Sequence, residues 1–384
     1  MKENVLLKNC MLYSTPEQSP VNISIEGGTI ASIGPNLPEH PDYKTIDAES
    51  RLVTPGFIDL HIHGAGGVEV IRADEQNIAD MSQALARMGT TGYLATPVVV
   101  PSIVHEYLPR WVSAVGRQPG GAQILGIHLE GPFVNPEKLG GMQDTWYGAP
   151  SRQALQELLE LTNGALKMMT IAPEVSPDFP IIDALLEIDV VPALGHTNAT
   201  YNQTREYLDA GINHITHLYN AMPSLHHREP GPLLAIFESD EATAQLICDG
   251  RHVSPDVLRW TYHQLGPERC VCITDGMEAV GQPEGRYLYN GVEYEVKNGS
   301  AYYLNGTLIG TALPLAQMAL NFHRFTGCTL ETAVHAGSLN PARVLGIDDR
   351  KGTIEPGKDA DIVVFDKDDS IWATLISGSV AYQK

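Results

Sequence analysis

The stretch FIDLHIH (57–63) is the first of eight short apolar runs in the middle of the chain. The others are GYLATPVVV (92–100), QILGIHLEG (123–131), LKMMTIAPE (166–174), VVPALGHT (190–197), HITHLYNA (214–221), TAQLICDG (243–250) and RCVCITDG (269–276). Amphipathic helical patterns separate most of them, at residues 73–89, 151–164, 180–189, 201–211 and 254–266. Eight strand–helix units in about 220 residues predict a (β/α)8 barrel. A doubly wound open sheet is the alternative, but no glycine fingerprint follows the first run.

Both ends of the chain have the pattern of short strands. VNISIEGG (21–28) turns into TIASIG (29–34), and KDADIVVFD (358–366) is followed by SIWATLISGSVAYQ (370–383). Neither end has enough strands to be stable alone. Residues 1–54 and 352–384 are therefore predicted to form one small β-sandwich, with the barrel at 55–351. A hairpin insertion closed by Asn-Gly pairs is predicted near 285–305, and a final helical region at about 313–346.

Composition and charge exclude several classes of protein. The chain has 384 residues, of which 43% are hydrophobic, and a net charge of −21. That charge repels phosphate backbones and anionic membranes, so we expect no nucleic-acid or membrane partner. We find no signal peptide and no run near the ~20 apolar residues of a spanning helix. The five cysteines are odd in number and lack zinc-finger spacing, which favours a protein of the reducing cytoplasm.

Histidines and carboxylates lie where the predicted barrel strands end, and active sites of barrel enzymes lie at those ends. These residues are His61, His63, Glu130, His196, His217 and Asp275. Each has an ordinary structural explanation when taken alone, such as a buried histidine or an aspartate that caps a turn. Their joint placement at the ends of five strands predicts a metal site, with ligands suited to zinc or ferrous iron.

Nine motifs in order carry a resemblance to a known family. They are PGFIDLHIHG (55–64), GIHLEGPF (126–133), APE (172–174), LGHTNAT (194–200), THLYNAM (216–222), REPG (228–231), DGRHV (249–253), TDGM (274–277) and NPAR (340–343). This set resembles the N-acetylglucosamine-6-phosphate deacetylases of the amidohydrolase superfamily over nearly the whole chain. The resemblance implies a (β/α)8 barrel with a small β-sandwich built from both termini, in agreement with the strand pattern.

The resemblance also implies roles for individual residues. It makes Glu130, His196 and His217 the primary metal ligands, His61 and His63 the support for a second ion in some members, and Asp275 the catalytic acid/base. The implied substrate-binding residues are Gly141, Met142, Asn220, Ala221, Arg228, Asp249, His252, Leu308, Ile309 and Gly310. In the family, Arg228 and His252 match positions that often reach across the interface of a homodimer.

The implied reaction is hydrolysis of N-acetylglucosamine 6-phosphate to glucosamine 6-phosphate and acetate, with one or two zinc or iron ions per subunit. A galacto- or manno-configured N-acyl hexosamine is an alternative substrate. Two further alternatives are a cyclic-amide hydrolase and a non-catalytic barrel that binds sugar phosphates. Cyclic-amide hydrolases have a carboxylated bridging lysine at the end of the fourth strand, but here Lys167 opens that run and Glu174 closes it, so the bridging role would fall to Glu130.

The sequence departs from the family at Met142, where members usually have a histidine near the amide carbonyl. A thioether cannot donate a hydrogen bond to an oxyanion. One hypothesis is that Gln143 replaces the histidine after a one-residue shift in the glycine-flanked loop. The other is that Met142 forms an apolar wall for a different acyl or sugar group.

Overall fold

The computed structural model describes residues 3–15, 19–144, 148 and 150–384 of the chain. Eight parallel strands lie side by side in sequence order. They are Phe57–Ile62, Thr90–Ala95, Gly121–Glu130, Leu166–Ile171, Val191–Leu194, His214–Ile215, Thr243–Ile247 and Cys270–Ile273. A parallel bridge between Ile62 and Gly276 joins the end of the eighth strand to the first. The predicted barrel is therefore confirmed.

A helix follows each barrel strand. The eight helices are Glu75–Arg87, Val104–Ala114, Arg152–Thr162, Ile181–Leu186, Tyr201–Asp209, Gly231–Glu238, Pro255–Leu265 and Leu315–Thr326. The five helical patterns in the sequence match the first, third, fourth, fifth and seventh helices. The second and sixth helices lie outside those patterns, and the eighth lies in the predicted final helical region. Leu330–Ala336 and Leu339–Val344 complete the final helical region. No helix within the described ranges is long and apolar enough to cross a membrane.

Side-chain caps fix where several of these helices begin. Asp74, Ser151, Thr200 and Ser254 each accept a hydrogen bond from a backbone N–H of the first helical turn. Such caps satisfy donors that have no partner inside the helix, and each stabilises it by about 1 kcal/mol. These caps therefore define where the helices begin after the loops at the carboxyl ends of the strands.

Buried polar contacts join the first and last barrel strands. Asp59 Oδ2 accepts a hydrogen bond from Thr274 Oγ1 at 2.6 Å, and Asp59 Oδ1 accepts from the backbone N–H groups of His61 and Thr274. Burial raises the pKa of Asp59 to about 6, although these hydrogen bonds lower it. This contact holds His61 beside the strand that leads to Asp275.

Strands from both ends of the chain form one mixed sheet beside the barrel. They are Val5–Leu12, Val21–Glu26, Thr29–Gly34, Lys44–Asp47, Leu52–Pro55, Ile362–Phe365, Ile371–Ile376 and Ser379–Gln383. The two ends meet where Leu52–Pro55 pairs with Ile362–Phe365 in antiparallel fashion. Side chains from both halves, among them Ile23, Val53 and Leu375, pack in a core separate from that of the barrel.

The segment after the eighth barrel strand is a four-stranded meander, not the single hairpin predicted near 285–305. Its strands are Gly285–Tyr289, Val292–Lys297, Ser300–Tyr303 and Leu308–Thr311. The Asn-Gly pairs at 290–291 and 298–299 have positive φ at both residues, as tight type I′ turns require. The fourth strand, beyond the predicted range, meets the barrel through a bridge between Thr311 and Gly276.

Two buried carboxylates lie between this insertion and the barrel. Glu69 Oε1 accepts a hydrogen bond from the backbone N–H of Asn290 at 2.8 Å. Burial raises the pKa of Glu69 to about 7. Burial also raises the pKa of Glu278 to about 7, and the nearby charge of Glu69 adds to that rise. Below pH values of about 7, both residues therefore favour the neutral carboxyl form in the folded protein.

The raised pKa of Glu278 predicts a pH-dependent stability. Its contribution is fully present below the ordinary glutamate pKa of about 4.3. It is lost as the pH rises from that value through about 7, because over this range the unfolded chain ionises while the folded chain keeps its proton. We expect Glu278→Gln to remove this loss, so that the Tm falls less between pH 5 and pH 8 than in the wild type. Thermal unfolding at both pH values tests this, with the exposed Glu241→Gln as control. Parallel pH profiles for wild type and Glu278→Gln would contradict it.

Candidate active site

Two groups of three potential metal ligands meet at the carboxyl ends of the barrel strands. One group is Glu130, His196 and His217, and the other is His61, His63 and Asp275. Glu130 Oε1 lies 3.1 Å from His196 Nε2 and 3.0 Å from His217 Nε2. Glu130 Oε2 lies 3.3 Å from His63 Nε2. Glu130 Oε1 also lies 3.4 Å from His61 Nε2, so Glu130 contacts every histidine of both groups.

The imidazole rings present Nε2 to the site. His63 Nδ1 lies 2.8 Å from the Thr96 carbonyl, and His196 Nδ1 lies 2.7 Å from the Lys138 carbonyl. A carbonyl only accepts, so Nδ1 carries the proton in both rings and Nε2 keeps its lone pair. In each group, two Nε2 atoms lie 3.0–3.1 Å apart. Lone pairs that converge in this way, with Nδ1 held from behind, are typical of metal-ligating histidines.

The backbone at the strand ends is strained. The φ angle is 48° at His196, 27° at His217 and 46° at Asp275, in the left-handed region that residues other than glycine rarely adopt. Such conformations cluster at functional sites. The strain also explains a difference from the sequence prediction: the chain leaves the sheet after Ile215, so the sixth strand is two residues long and does not reach 221.

Carboxylates and imidazoles compensate each other's charge in the buried site. Burial alone would raise the pKa of Glu130, but the neighbouring imidazoles, His61 first, hold that pKa well below its usual range. Burial opposes ionisation of Asp275 too, and His63 and His61 lower its pKa. Burial disfavours protonation of His61, but Glu130 and Asp275 outweigh it and raise its pKa to about 9. Two ionised carboxylates beside imidazoles are a suitable environment for a cation.

A pocket with a cavity volume of about 120 Å³ opens above these ligands. Its other walls are formed by Val98, Gly140, Gly141, Met142, Asn220, Ala221, His252, Tyr289, Leu308 and Ile309. The insertion supplies one wall, and Tyr303 Oη donates a hydrogen bond to the Gly141 carbonyl at 3.1 Å. This bond joins the insertion to the loop that carries Met142.

Two of the sequence-predicted binding residues lie behind the pocket and do not line it. Asp249 bonds to His252 Nδ1 at 2.8 Å and accepts further hydrogen bonds from Ser300 and from backbone N–H groups. It therefore positions His252. Gly310 packs against Asp275, where a Cβ atom would approach the Asp275 carbonyl oxygen to 2.5 Å. Its role is to allow this close contact.

Arg228 lies outside the pocket on an exposed loop, where its Nη1 is 2.8 Å from His227 Nε2. His252, by contrast, lies in the chain's own pocket. His252 therefore lines a pocket without help from a second copy of the chain. That Arg228 reaches a substrate across a dimer interface stays a prediction.

Sequence reasoning missed several residues that shape the site. Val98 and Tyr289 line the pocket. Gln245 is fully buried on the seventh strand and contacts His61. Glu174, by contrast, ends the fourth apolar run and is expected from the sequence to support the site: its Oε1 accepts hydrogen bonds from Asn135, Thr197 and the backbone N–H of Asn198, which flank His196 in space or sequence. A buried amide inside an apolar strand is a signal for Gln245, because an unpaired polar group there is costly.

Similarity to known proteins identifies the family of this chain. Residues 52–381 match the amidohydrolase family. The chain belongs to that family. This amidohydrolase is 33% identical over 390 aligned residues to the N-acetylglucosamine-6-phosphate deacetylase of Bacillus subtilis (strain 168), covering 100% of this chain and 98% of the relative. It is 34% identical over 360 residues to the N-acetylgalactosamine-6-phosphate deacetylase of Escherichia coli O157:H7, covering 94% of each.

Solved structures of deacetylases share the fold of this amidohydrolase. A mutant N-acetyl-D-glucosamine-6-phosphate deacetylase from Mycobacterium smegmatis, in complex with N-acetyl-D-glucosamine-6-phosphate, superposes with a TM-score of 0.89 at 30% identity and covers all of both chains. The enzyme from Pasteurella multocida gives a TM-score of 0.88 at 27% identity, covering 98% of this chain and 99% of the other.

Proposed function

We propose that this amidohydrolase removes the N-acetyl group of N-acetylglucosamine 6-phosphate and releases glucosamine 6-phosphate and acetate. The observation that carries this proposal is the position of Asp275, whose Oδ1 lies 3.2 Å from His63 Nε2 at the floor of the pocket. An acid/base beside two ligand groups that share Glu130 is what metal-assisted amide hydrolysis needs. The deacetylase relatives support the same reaction.

The donor set fits a divalent metal ion. We propose that Glu130, His196 and His217 hold one ion, and that His61 and His63 hold a second. Imidazole and carboxylate ligands of this kind suit zinc or iron. When bound, a divalent ion lowers the pKa of a coordinated water and stabilises the oxyanion of the amide.

Asp275 moves the proton. Its carboxylate accepts a proton from the attacking water and donates the same proton to the departing amine. The imidazoles of His63 and His61 lower the pKa of Asp275, so the carboxylate is in the form that accepts a proton. One carboxylate suffices because the proton that it takes up is the one that it gives away.

The substrate phosphate requires local positive charge in a chain of net charge −21. His252 lines the pocket, and its Nδ1–H donates to Asp249, so donation from Nε2 to a phosphate oxygen requires the doubly protonated, cationic ring. We propose that Arg228 of a second copy completes this binding site in a homodimer. Asn220 and Ala221 line the same pocket as His217, and we propose that they contact the sugar phosphate.

We also propose that the enzyme works in the cytoplasm. All five cysteines are buried and unpaired in the described ranges. Free thiols persist in a reducing compartment, whereas secreted proteins tend to form disulfides. The place of amino-sugar phosphates in metabolism inside cells agrees with this location.

A cyclic-amide hydrolase is a poor alternative, because its bridging lysine has no counterpart at the metal site. Lys167 is exposed and lies at the amino end of the fourth strand, whereas the ligands lie at the carboxyl ends. A galacto-configured substrate is the stronger second candidate, since one relative is named for it.

A substrate panel tests the reaction and the sugar. Metal-loaded protein is incubated with the gluco-, galacto- and manno-configured N-acetylhexosamine 6-phosphates and with their unphosphorylated forms, and acetate release is measured. We expect the highest kcat/KM with N-acetylglucosamine 6-phosphate and weak activity without phosphate. A higher value for the galacto compound would reassign the sugar, and acetate release from none would favour a non-catalytic barrel.

The structure favours one of the two hypotheses about Met142. Met142 is nine-tenths buried and lines the pocket. Gln143 is not among the lining residues, and its Nε2 is buried without a hydrogen-bond partner in the described part of the chain. Of these two neighbours, Met142 and not Gln143 is a lining residue of the pocket. We propose that Met142 forms an apolar wall of the pocket.

This proposal predicts the behaviour of two variants. Met142→His is expected to raise kcat on N-acetylglucosamine 6-phosphate by about tenfold or more, because a missing oxyanion donor costs roughly 10²–10³-fold. Gln143→Ala is expected to change kcat by less than about twofold. Steady-state kinetics of both variants are the measurement. A loss of more than about tenfold in Gln143→Ala would show instead that Gln143 replaces the family histidine.

A further inference from the structure

A line of buried hydrogen bonds runs from the second ligand group into the barrel wall. His61 Nδ1 lies 3.1 Å from Gln245 Oε1, and Gln245 Nε2 lies 3.0 Å from His214 Nε2. His214 Nδ1 lies 2.7 Å from Thr243 Oγ1, and Thr243 Oγ1 donates to the Asn213 carbonyl at 3.0 Å. His61, His214 and Gln245 are fully buried. Solvent therefore does not compete for the bonds that join Gln245 to His61 and His214, whereas the bond from Thr243 to Asn213 is exposed.

One arrangement of protons satisfies the whole line. The Asn213 carbonyl only accepts, so the Thr243 hydroxyl donates to it and accepts the Nδ1–H of His214. A neutral His214 then accepts at Nε2 from the amide N–H of Gln245, and burial lowers the pKa of His214 to about 3, in keeping with a neutral ring. Gln245 Oε1 is thereby turned toward His61 and accepts its Nδ1–H. In the neutral ring that metal binding requires, His61 Nε2 is left with its lone pair directed at the ligand group.

Gln245 also contacts the first ligand group. The same Oε1 accepts a hydrogen bond from the backbone N–H of His217 at 3.3 Å. A single amide oxygen thus touches one residue of each group, from a strand that supplies no ligand itself. The Thr96 and Lys138 carbonyls have the corresponding place behind His63 and His196. The acceptor behind His61 Nδ1 is thus a side-chain oxygen, whereas the acceptors behind the other two rings are backbone carbonyls.

We propose that Gln245 is a positioning residue that fixes the tautomer of His61 and so presents His61 Nε2 to a second metal ion. The proposal rests on the proposed metal-dependent function. A partner of this kind behind a metal-ligating histidine typically contributes 10–100-fold to metal affinity. If Gln245 only filled space in the barrel, an apolar residue of similar size would leave metal binding unchanged.

Three variants separate the two roles. Gln245→Leu keeps the volume of the side chain but removes the hydrogen-bond acceptor. Gln245→Glu keeps an acceptor for the N–H groups of His61 and His217. His214 can then reverse its tautomer and donate from Nε2 to the new carboxylate. Gln123→Leu is the matched control: Gln123 also lies on a barrel strand and makes one side-chain bond, to Ser377 Oγ at 2.9 Å. Each metal-free protein is titrated with Zn²⁺ alone, and bound ions per chain and their affinities are measured by calorimetry and elemental analysis.

We expect Gln245→Leu to bind the second Zn²⁺ at least about tenfold more weakly while the first ion stays bound. Gln245→Glu and Gln123→Leu should bind both ions within about threefold of the wild type. Equal binding of two ions by Gln245→Leu and wild type would overturn the proposal. So would a single Zn²⁺ in the wild type, or a loss in Gln245→Glu as large as that in Gln245→Leu.

The tautomer of His61 is measured separately in metal-free protein. In ¹H–¹⁵N spectra of histidine-labelled protein, recorded at a pH high enough that the ring is neutral and with the His61 signal assigned through His61→Asn, we expect a ring protonated only at Nδ1 in the wild type and a mixture of tautomers in Gln245→Leu. An Nε2-protonated ring in the wild type would overturn the proposal even if Gln245→Leu failed to fold. Neither readout depends on acetate release, so failure of the proposed reaction would be seen independently.

Discussion

Replacement of Asp275 by asparagine is expected to lower kcat for acetate release by about 10²–10⁴-fold. The amide has the shape of the carboxylate but cannot accept the proton of the attacking water. Asp275 Oδ1 is 3.2 Å from His63 Nε2, and the amide of similar size fills the same place, so we expect the metal content to stay the same. Steady-state kinetics, thermal unfolding and metal analysis of the same sample are the measurements.

The exposed Asp209→Asn, at the end of a barrel helix, is the matched control and should have wild-type turnover. An Asp275→Asn protein that retains more than about a tenth of wild-type turnover would show that another group moves the proton.

Replacement of Glu130 by glutamine is expected to release metal and to reduce activity more strongly than the 10–100-fold typical of a supporting residue. Glu130 is shared by both ligand groups, so its loss affects each ion. His61→Ala combined with His63→Ala should instead remove only the second ion. Ions per chain and kcat of the variants are compared with those of the wild type.

The two variants give distinguishable results. If the double histidine variant keeps both its metal stoichiometry and its activity, the histidine pair is structural and one ion suffices. If Glu130→Gln keeps all of its metal, Glu130 is not a ligand and the proposed centre is wrong.

Much of the fold could be predicted because barrel strands are buried on both faces and so form continuous apolar runs. All eight runs contain a strand of the barrel. The helices Val104–Ala114 and Gly231–Glu238 could not be predicted from periodicity. The first contains Pro109, which lacks the backbone donor of a helix interior, and the second, GPLLAIFE, is short and apolar on nearly every face.

The ligands could be predicted for a related reason: a histidine or carboxylate that ends an apolar strand is conspicuous. Residues that position a site residue, or leave space for it, without lining the pocket are harder to predict. Asp249 holds His252 and Gly310 makes room for Asp275, but a motif does not show which of its members faces a pocket. Tyr289 reaches the pocket only because a separate sheet packs on the barrel mouth, and a local pattern contains no information about such packing.

The most direct test is acetate release from N-acetylglucosamine 6-phosphate by the metal-loaded wild-type protein. We expect one acetate and one glucosamine 6-phosphate per substrate consumed, with activity lost on chelation and restored by added zinc or iron. A protein that binds metal at the Glu130, His196 and His217 group but releases no acetate from this substrate would contradict the proposed function.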